Sequence, residues 1–266
     1  MADTAQRIAA LLGCGSVTLS PMAGGDLSSV HAVRTDDGRD VIAKQGGAAV
    51  VEARMLRAIG ASGAPAPEVL YAEDDLLIIS RCPSGGGRGG WASLADVLDT
   101  LHASEGERYG WPDDYAFGAV AIANAEHADW AAFWSEHRLA CHIPHVSIAL
   151  GDRLEKLVAD IAGLLPADPP PSLLHGDLWG GNILFDGGRV SALIDPACYY
   201  GDREVDIAML TLFDRPPRDF FARLALRQGW ERRQPLYRLW PLLVHLRLFG
   251  SAYAGQVDSE LQTLGY

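Results

Sequence analysis

Two spacings of apolar residues divide this chain. In its first third the apolar positions alternate with polar ones over short runs, the period of half-buried strands. Strands are predicted at Val17 to Leu19, Ser29 to Arg34, Asp40 to Lys44, Glu68 to Ala72 and Leu76 to Ser80. Asp36-Asp37-Gly38 supplies a hairpin turn between the second and third of these. Ile8, Leu11 and Leu12 fall on one face of a helix over Ala5 to Leu12. A second helix is predicted from about Ala48 to Ile59, ended by Gly60 and Gly63, with Pro65 and Pro67 barring its continuation.

Beyond Ser84 to Gly90 (SGGGRGG) the period changes to that of helices. Leu94, Val97, Leu98 and Leu101 form one stripe, and Leu154, Leu157, Val158, Ile161 and Leu165 another. One β-rich insert interrupts them: Ile183-Leu184-Phe185, a turn at Asp186-Gly187-Gly188, then Val190 to Ile194. The expected fold is therefore α+β in two lobes. Residues 1–80 form a small antiparallel β lobe with one main helix, 81–90 a Gly-rich hinge, and 91–266 a larger, mostly helical lobe. A cleft between two lobes is the usual place for a ligand.

Composition narrows the class. With 266 residues, 48% of them hydrophobic and 21% charged, the chain can bury a sizeable core without disulfide or metal staples. Its formal charge of −12 argues against a nucleic-acid partner, which needs a basic footprint. Cys14, Cys82, Cys141 and Cys198 are scattered and form no CxxC pair, as in the reduced thiols of a cytoplasmic protein. No signal peptide and no membrane span is expected from the apolar runs.

The chemistry is concentrated in Leu174-His175-Gly176-Asp177-Leu178-Trp179-Gly180-Gly181-Asn182 and in Asp195, thirteen residues after Asn182. Phosphoryl transfer from ATP needs a carboxylate to orient and deprotonate the acceptor, oxygen ligands for Mg²⁺, and a cation on the phosphates. Asp177 stands five residues before Asn182, the spacing of a base and a metal-binding Asn in protein kinases, and Asp195 follows across a hairpin as second metal ligand. Lys44, ending Val41-Ile42-Ala43-Lys44, is the candidate phosphate clamp, and Glu52 on the next helix its partner. Gly24 and Gly25 lie in a turn suited to cover phosphates, a weak signal because GxGxxG is absent.

His175 is read as orienting the catalytic loop and not as a catalyst. Asp206 either caps the helix it opens or, the favoured reading, braces that loop. Asp202 and Glu204 either face a basic substrate amine or sit in a solvated turn. His137, His142 and His145 with Cys141 suggest zinc, but no carboxylate or second Cys in that run completes a site, and the adjoining aromatic stripe of Trp130, Phe133 and Trp134 reads as core.

These residues resemble the fructosamine/ketosamine kinase family, within the protein-kinase-like group that includes aminoglycoside and choline kinases. The likeness rests on HGDLWGGN, on Asp195-Pro196-Ala197-Cys198-Tyr199-Tyr200-Gly201-Asp202-Arg203-Glu204-Val205-Asp206, on Tyr109-Gly110-Trp111, on Asp129 to Trp134 with Arg138-Leu139, and on Leu236-Tyr237 through Gly250. It implies an enzyme with ATP and Mg²⁺ that phosphorylates the sugar 3-hydroxyl of ketosamines, free or protein-bound, as the first step of deglycation. It also implies adenine against backbone near Ser80 to Cys82, and it brings Trp179 forward as a substrate contact. The cysteine that some relatives carry in the Gly-rich loop is absent here, which argues against a redox switch there. A phosphotransferase for another hydroxyl compound, such as an aminoglycoside, and a catalytically silent nucleotide-binding scaffold are the competing expectations. No obligate protein partner is evident.

Overall fold

The computed structural model of the chain describes residues 2–22, 29–85 and 89–266. It begins with α1 (Ala2–Leu12) and a five-stranded antiparallel sheet of β1 (Val17–Pro21), β2 (Ser29–Thr35), β3 (Asp40–Gln45), β4 (Val69–Glu73) and β5 (Leu76–Ser80). The spatial order is β1-β2-β3-β5-β4. Helix α2 (Ala49–Ser62) fills the connection from β3 to β4.

The alternation of side chains along β3 and β5 decides what each face of the sheet holds. Val41 and Ala43, with Leu76 and Ile78, pack with Ile8 of α1 on one face. Ile42, Leu77 and Ile79 pack with Ala49, Ala53 and Leu56 of α2 on the other. Lys44, two residues beyond Ile42, follows that second face and so is delivered to α2. The helix runs past Gly60 and stops at Gly63, whose φ of 90° is the left-handed cap that glycine adopts without Cβ strain. Met55 and Ile59 of α2 belong to the main core of the second region, so one helix is shared between both.

After β5 the chain leads to α3 (Trp91–His102), the hairpin of β6 (Tyr115–Phe117) and β7 (Val120–Ile122), and α4 (Trp130–Trp134). A π-helical turn over Ser135–Leu139 and a 3₁₀ stretch over Ala140–His145 precede α5 (Ile148–Leu164). Then come β8 (Ser172–Leu174), β9 (Ile183–Asp186), β10 (Arg189–Leu193), β11 (Tyr199–Gly201), α6 (Glu204–Phe213), α7 (Arg218–Arg223), α8 (Trp230–Phe249) and α9 (Ala254–Leu264). β9 and β10 are the expected hairpin. Trp130, Phe133 and Trp134 are wholly buried, as core.

The connection after β5 is tied to the second region. The Gly85 N–H donates to Phe185 O at 3.0 Å, and the Gly187 N–H to Gly85 O at 3.1 Å. The Leu193 N–H donates to Pro65 O at 2.8 Å, and the Cys198 N–H lies 3.3 Å from Met55 Sδ. These bonds fix the β lobe over the β9–β10 hairpin, which is what sets the site's geometry.

Candidate active site

The loop between β8 and β9 carries most of the site. β8 pairs with β11, and the turn that follows is packed closely: a Cβ on Gly176, at φ 80°, would fall 2.0 Å from Ala197 O. Gly181 is equally constrained, since a Cβ there would lie 2.3 Å from the Trp179 ring. The loop's backbone is held from below by Asp206 on α6. Its carboxylate accepts the His175 N–H and the Gly176 N–H, each at 2.9 Å, and lies 3.0 Å from His102 Nε2. Asp206 is fully buried. Burial alone would raise its pKa, but the bond and charge of His102 and the Gly176 N–H hold it below the ordinary carboxylate value. Asp206 therefore braces the loop, from the first turn of α6 and not as its cap.

His175 is buried and its pKa is pushed down by that burial. Its partners assign the tautomer: Nε2–H donates to Ile194 O at 3.0 Å, and Nδ1 accepts the Asp177 N–H at 3.3 Å. One neutral ring thus spans the loop and the strand end before Asp195, an orienting position.

Asp177 is half-buried, and its carboxylate accepts from Asn182 Nδ2 at 3.0 Å. The same amide nitrogen donates to Asp177 O at 2.8 Å. Burial, with the charges of Asp195 and Asp206, raises the Asp177 pKa to about 7 against the opposing Asn182 bond. A carboxylate tuned to that value is suited to accept a hydroxyl proton near neutral pH.

The Ile194 N–H donates to Asn182 O at 3.0 Å, which sets Asp195 beside Asn182. Asp195 has φ 53°, a left-handed conformation uncommon in a non-glycine residue. Lys44 makes ion pairs with both Glu52 and Asp195. Burial disfavours its charge, yet the two carboxylates outweigh it and hold the Lys44 pKa above normal, so the amine is a cation. The Asn182 nitrogen is turned to Asp177, which leaves Oδ1 for a cation, and the Asp195 side chain remains 44% exposed. Two such oxygens are a donor set that Mg²⁺ accepts.

The structure thus brings Lys44, Glu52, Asp177, Asn182 and Asp195 together, with His175 and Asp206 behind them. Ser80 and Cys82 lie at the end of β5; the Ser80 hydroxyl accepts the Glu68 N–H at 2.9 Å, and Cys82 is half-buried. Gly24 and Gly25 lie outside the described residues. Trp179 is 40% exposed beside the loop and meets the Phe213 ring edge-on at 5.9 Å.

Asp202 and Glu204 are corrected. Neither is in a solvated turn or on an open face: both are buried, with their carboxylates bonded inside the fold. Asp202 accepts from Tyr237 Oη at 2.8 Å and from the Glu204 N–H at 3.1 Å. Glu204 takes a bidentate pair from Arg233, at 2.8 and 2.6 Å. Both are held inside the fold from α8, Glu204 by the Arg233 charge and Asp202 by the Tyr237 hydroxyl.

Three residues escaped the sequence reading. His102 continues the buried stripe of Leu94, Leu98 and Leu101, so a polar residue at a core position was its signal. Asp214 accepts the Gly180 N–H at 2.7 Å from the far end of α6, with no local sign. Tyr115 on β6 has its phenol pKa raised by burial and by the charges of Glu52, Asp177 and Asp195.

A model of the fructosamine kinase family matches residues 20–265. The chain belongs to that family. Membership makes it a phosphotransferase with a hydroxyl acceptor, as the assembled carboxylates, amide and lysine would require. A Lactiplantibacillus plantarum protein assigned as a ketoamine kinase is 31% identical over 262 residues, covering 91% of this chain and 92% of its own. The chloroplastic protein-ribulosamine 3-kinase of Oryza sativa subsp. indica is 29% identical over 262 residues, 91% of this chain and 77% of its own. Among solved structures, a Thermobifida fusca protein assigned as a fructosamine-3-kinase superposes with a TM-score of 0.89 at 27% identity, covering 99% and 98% of the two chains. An aminoglycoside phosphotransferase captured with AMP-PNP and hygromycin B shares the fold, with a TM-score of 0.72 at 18% identity and 98% of each chain covered. The two-lobed kinase-like architecture expected from the residues is thus the observed one. Among the described residues, no helix is long and apolar enough to cross a membrane.

Proposed function

We propose that this fructosamine kinase family member transfers the γ-phosphoryl group of ATP to the sugar 3-hydroxyl of a ketosamine, free or protein-bound. The observation that carries the reading is the juxtaposition of Asp177, Asn182, Asp195 and Lys44, which are drawn from residues up to 151 positions apart. The names of the relatives, ketoamine kinase and ribulosamine 3-kinase, support the acceptor class.

Each residue then has one task. Asp177 accepts the proton of the acceptor hydroxyl and aligns its oxygen with the phosphorus. Asn182 Oδ1 and Asp195 would hold Mg²⁺, which would supply neutralisation of the phosphate charge. Lys44 steadies the α- and β-phosphates, exchanging its contact with Asp195 for phosphate oxygen while Glu52 keeps it in place. Ser80 to Cys82 offer backbone groups to the adenine. Trp179, with Phe213 and His245 next in line at ring separations of 5.9 and 5.6 Å, forms an aromatic edge for the acceptor. Loss of a C1 proton gives the enol of the ketosamine, the 3-phosphate leaves from it as inorganic phosphate by β-elimination, and water then hydrolyses the resulting imine and frees the amine. This is the deglycation role.

The test is ATP consumption by the purified protein with Mg²⁺ and a fructosamine, a ribulosamine, an aminoglycoside or choline. Turnover of a ketosamine followed by release of free amine is expected. Turnover confined to the aminoglycoside or choline would overturn the acceptor and keep the phosphotransfer.

A further inference from the structure

The histidine run that looked incomplete as a metal site gains its missing carboxylate in three dimensions. His142 and His145 do not contribute: His142 is buried with Nδ1 3.4 Å from Arg247, and His145 is exposed. His137 instead meets two residues from outside its former company, Glu136 and His127. One ligand atom from each of the three lies within 4.8 Å of the other two. His127 Nε2 and Glu136 Oε2 are 3.4 Å apart, and the His127 and His137 rings sit edge to face at 5.4 Å.

We propose that His127, Glu136 and His137 form a second cation site, for a divalent transition metal of the Zn²⁺ kind, remote in sequence from the phosphotransfer loop.

Two features of the backbone build it. The π-helical turn Ser135–Leu139 widens the helix where Glu136 and His137 project, a local irregularity common at functional sites. His127 is held by reciprocal backbone bonds with Tyr109, both 2.9 Å, so its loop is fixed before any ligand arrives. The second observation is independent of the spacing. His137 is only 9% exposed, and its Nε2 is buried with no hydrogen-bond partner among the described residues. An imidazole nitrogen left unpaired inside a protein costs free energy that a ligand would recover. Phe133 flanks both rings, at 6.4 Å from His127 and 5.3 Å from His137, which keeps water from one side.

The chemistry fits the metal class. Two neutral imidazoles and one carboxylate, with a fourth position left to water, are a Zn²⁺ donor set at about 2.0–2.2 Å per bond. The neighbouring Arg138 charge is directed elsewhere, to Ala123 O at 2.8 Å and Asn124 Oδ1 at 2.6 Å. The side chains of His127 and Glu136 are 29% and 64% exposed, so they can close the last distance by rotation. A bound ion would tie the 123–129 loop to the α4 junction, the two segments that Arg138 already clamps.

The test is a calorimetric titration of Zn²⁺ into the chelator-stripped full-length protein, in excess Mg²⁺ so that the phosphotransfer carboxylates are occupied. One Zn²⁺ per chain is expected, with a rise in Tm. His127→Ala and Glu136→Gln should each weaken binding by about tenfold or more and cancel the Tm rise. Circular dichroism of both variants should match the parent. Co²⁺ in place of Zn²⁺ should give visible absorption that Glu136→Gln alters. The absence of saturable Zn²⁺ binding, or binding of equal strength in both variants, overturns the site.

Discussion

Asp206 holds His175 by its backbone: one carboxylate accepts the N–H groups of His175 and Gly176 at 2.9 Å each, two residues before the candidate base Asp177. The pair converts a buried charge on α6 into the shape of the catalytic loop. Asp206→Asn keeps the volume but exchanges one accepting oxygen for a donor facing a donor. Disrupting a buried ionic network of this kind costs about 3–5 kcal/mol, and Tm should fall by about 10 °C. The pH dependence has a definite sign. The folded pKa of Asp206 is lowered, so its contribution to stability is present above the unfolded value of about 3.9 and is lost as pH falls through the folded one. The Tm gap between parent and Asp206→Asn should therefore be full at neutral pH and narrow below pH ~4, which a series of melts would show.

Asp177 titrates in the opposite sense. Its pKa is raised to about 7, and only the deprotonated form accepts a hydroxyl proton. kcat/KM should rise with pH and level off above about 7, falling roughly tenfold per unit below it. Asp177→Asn should remove the limb together with about 10²–10⁴ of the rate. Stability should move the other way. A raised carboxylate stabilises the fold below its unfolded pKa and loses that contribution as pH climbs through the folded value, so Asp177→Asn at pH 8 should melt no lower than the parent. Unchanged turnover in this variant would remove Asp177 as the base.

Much of this was legible without coordinates, and the parts that were not share a cause. Asp177, Asn182 and Asp195 are separated by a tight loop and a hairpin, so their spacing along the chain already determines their meeting in space. Lys44 and Glu52 are legible for a similar reason: the strand's alternation and the next helix deliver both to one face. Asp202 and Glu204 are not legible as buried because their partners, Tyr237 and Arg233, come from α8, 35 and 29 residues away, and nothing local announces those bonds. The short strands β6, β8 and β11, three residues each, are stabilised by tertiary pairing and carry no periodic signal of their own. The zinc reading failed along the sequence because the relevant carboxylate and second imidazole flank the run instead of lying in it.

Lys44 and Glu52 should separate catalysis from stability. Their side chains are 10% and 11% exposed, so removing one leaves the other charged and nearly dry. Lys44→Met should destabilise the fold by about 3–5 kcal/mol and abolish turnover. In the double variant Lys44→Met/Glu52→Leu no buried charge is stranded on α2, and apolar groups of similar volume replace the pair. Stability should return to near the parent's, while activity stays absent because the phosphates have lost their cation. Melting curves with a nucleotide-binding titration check both halves. Recovery of activity in the double variant would show that Lys44 serves the fold alone.

Trp179 and Arg233 contrast a side chain proposed to meet the acceptor with one that pairs a buried carboxylate inside the fold. Trp179 is 40% exposed and touches Phe213 by an edge, so Trp179→Ala should shift stability only modestly, by about 0.5–1.5 kcal/mol of lost aromatic pairing. The KM for the acceptor should rise severalfold while the KM for ATP stays put, because the ring is proposed to meet the acceptor and not the nucleotide. Arg233→Ala acts in reverse. It strands Glu204, whose side chain is wholly buried, and should cost about 3–5 kcal/mol. Both KM values should be unchanged at a temperature where the variant is folded. Steady-state kinetics beside thermal melts read the two outcomes together. An acceptor KM that moves with Arg233→Ala and not with Trp179→Ala would return the Asp202–Glu204 turn to the substrate site and take Trp179 out of it.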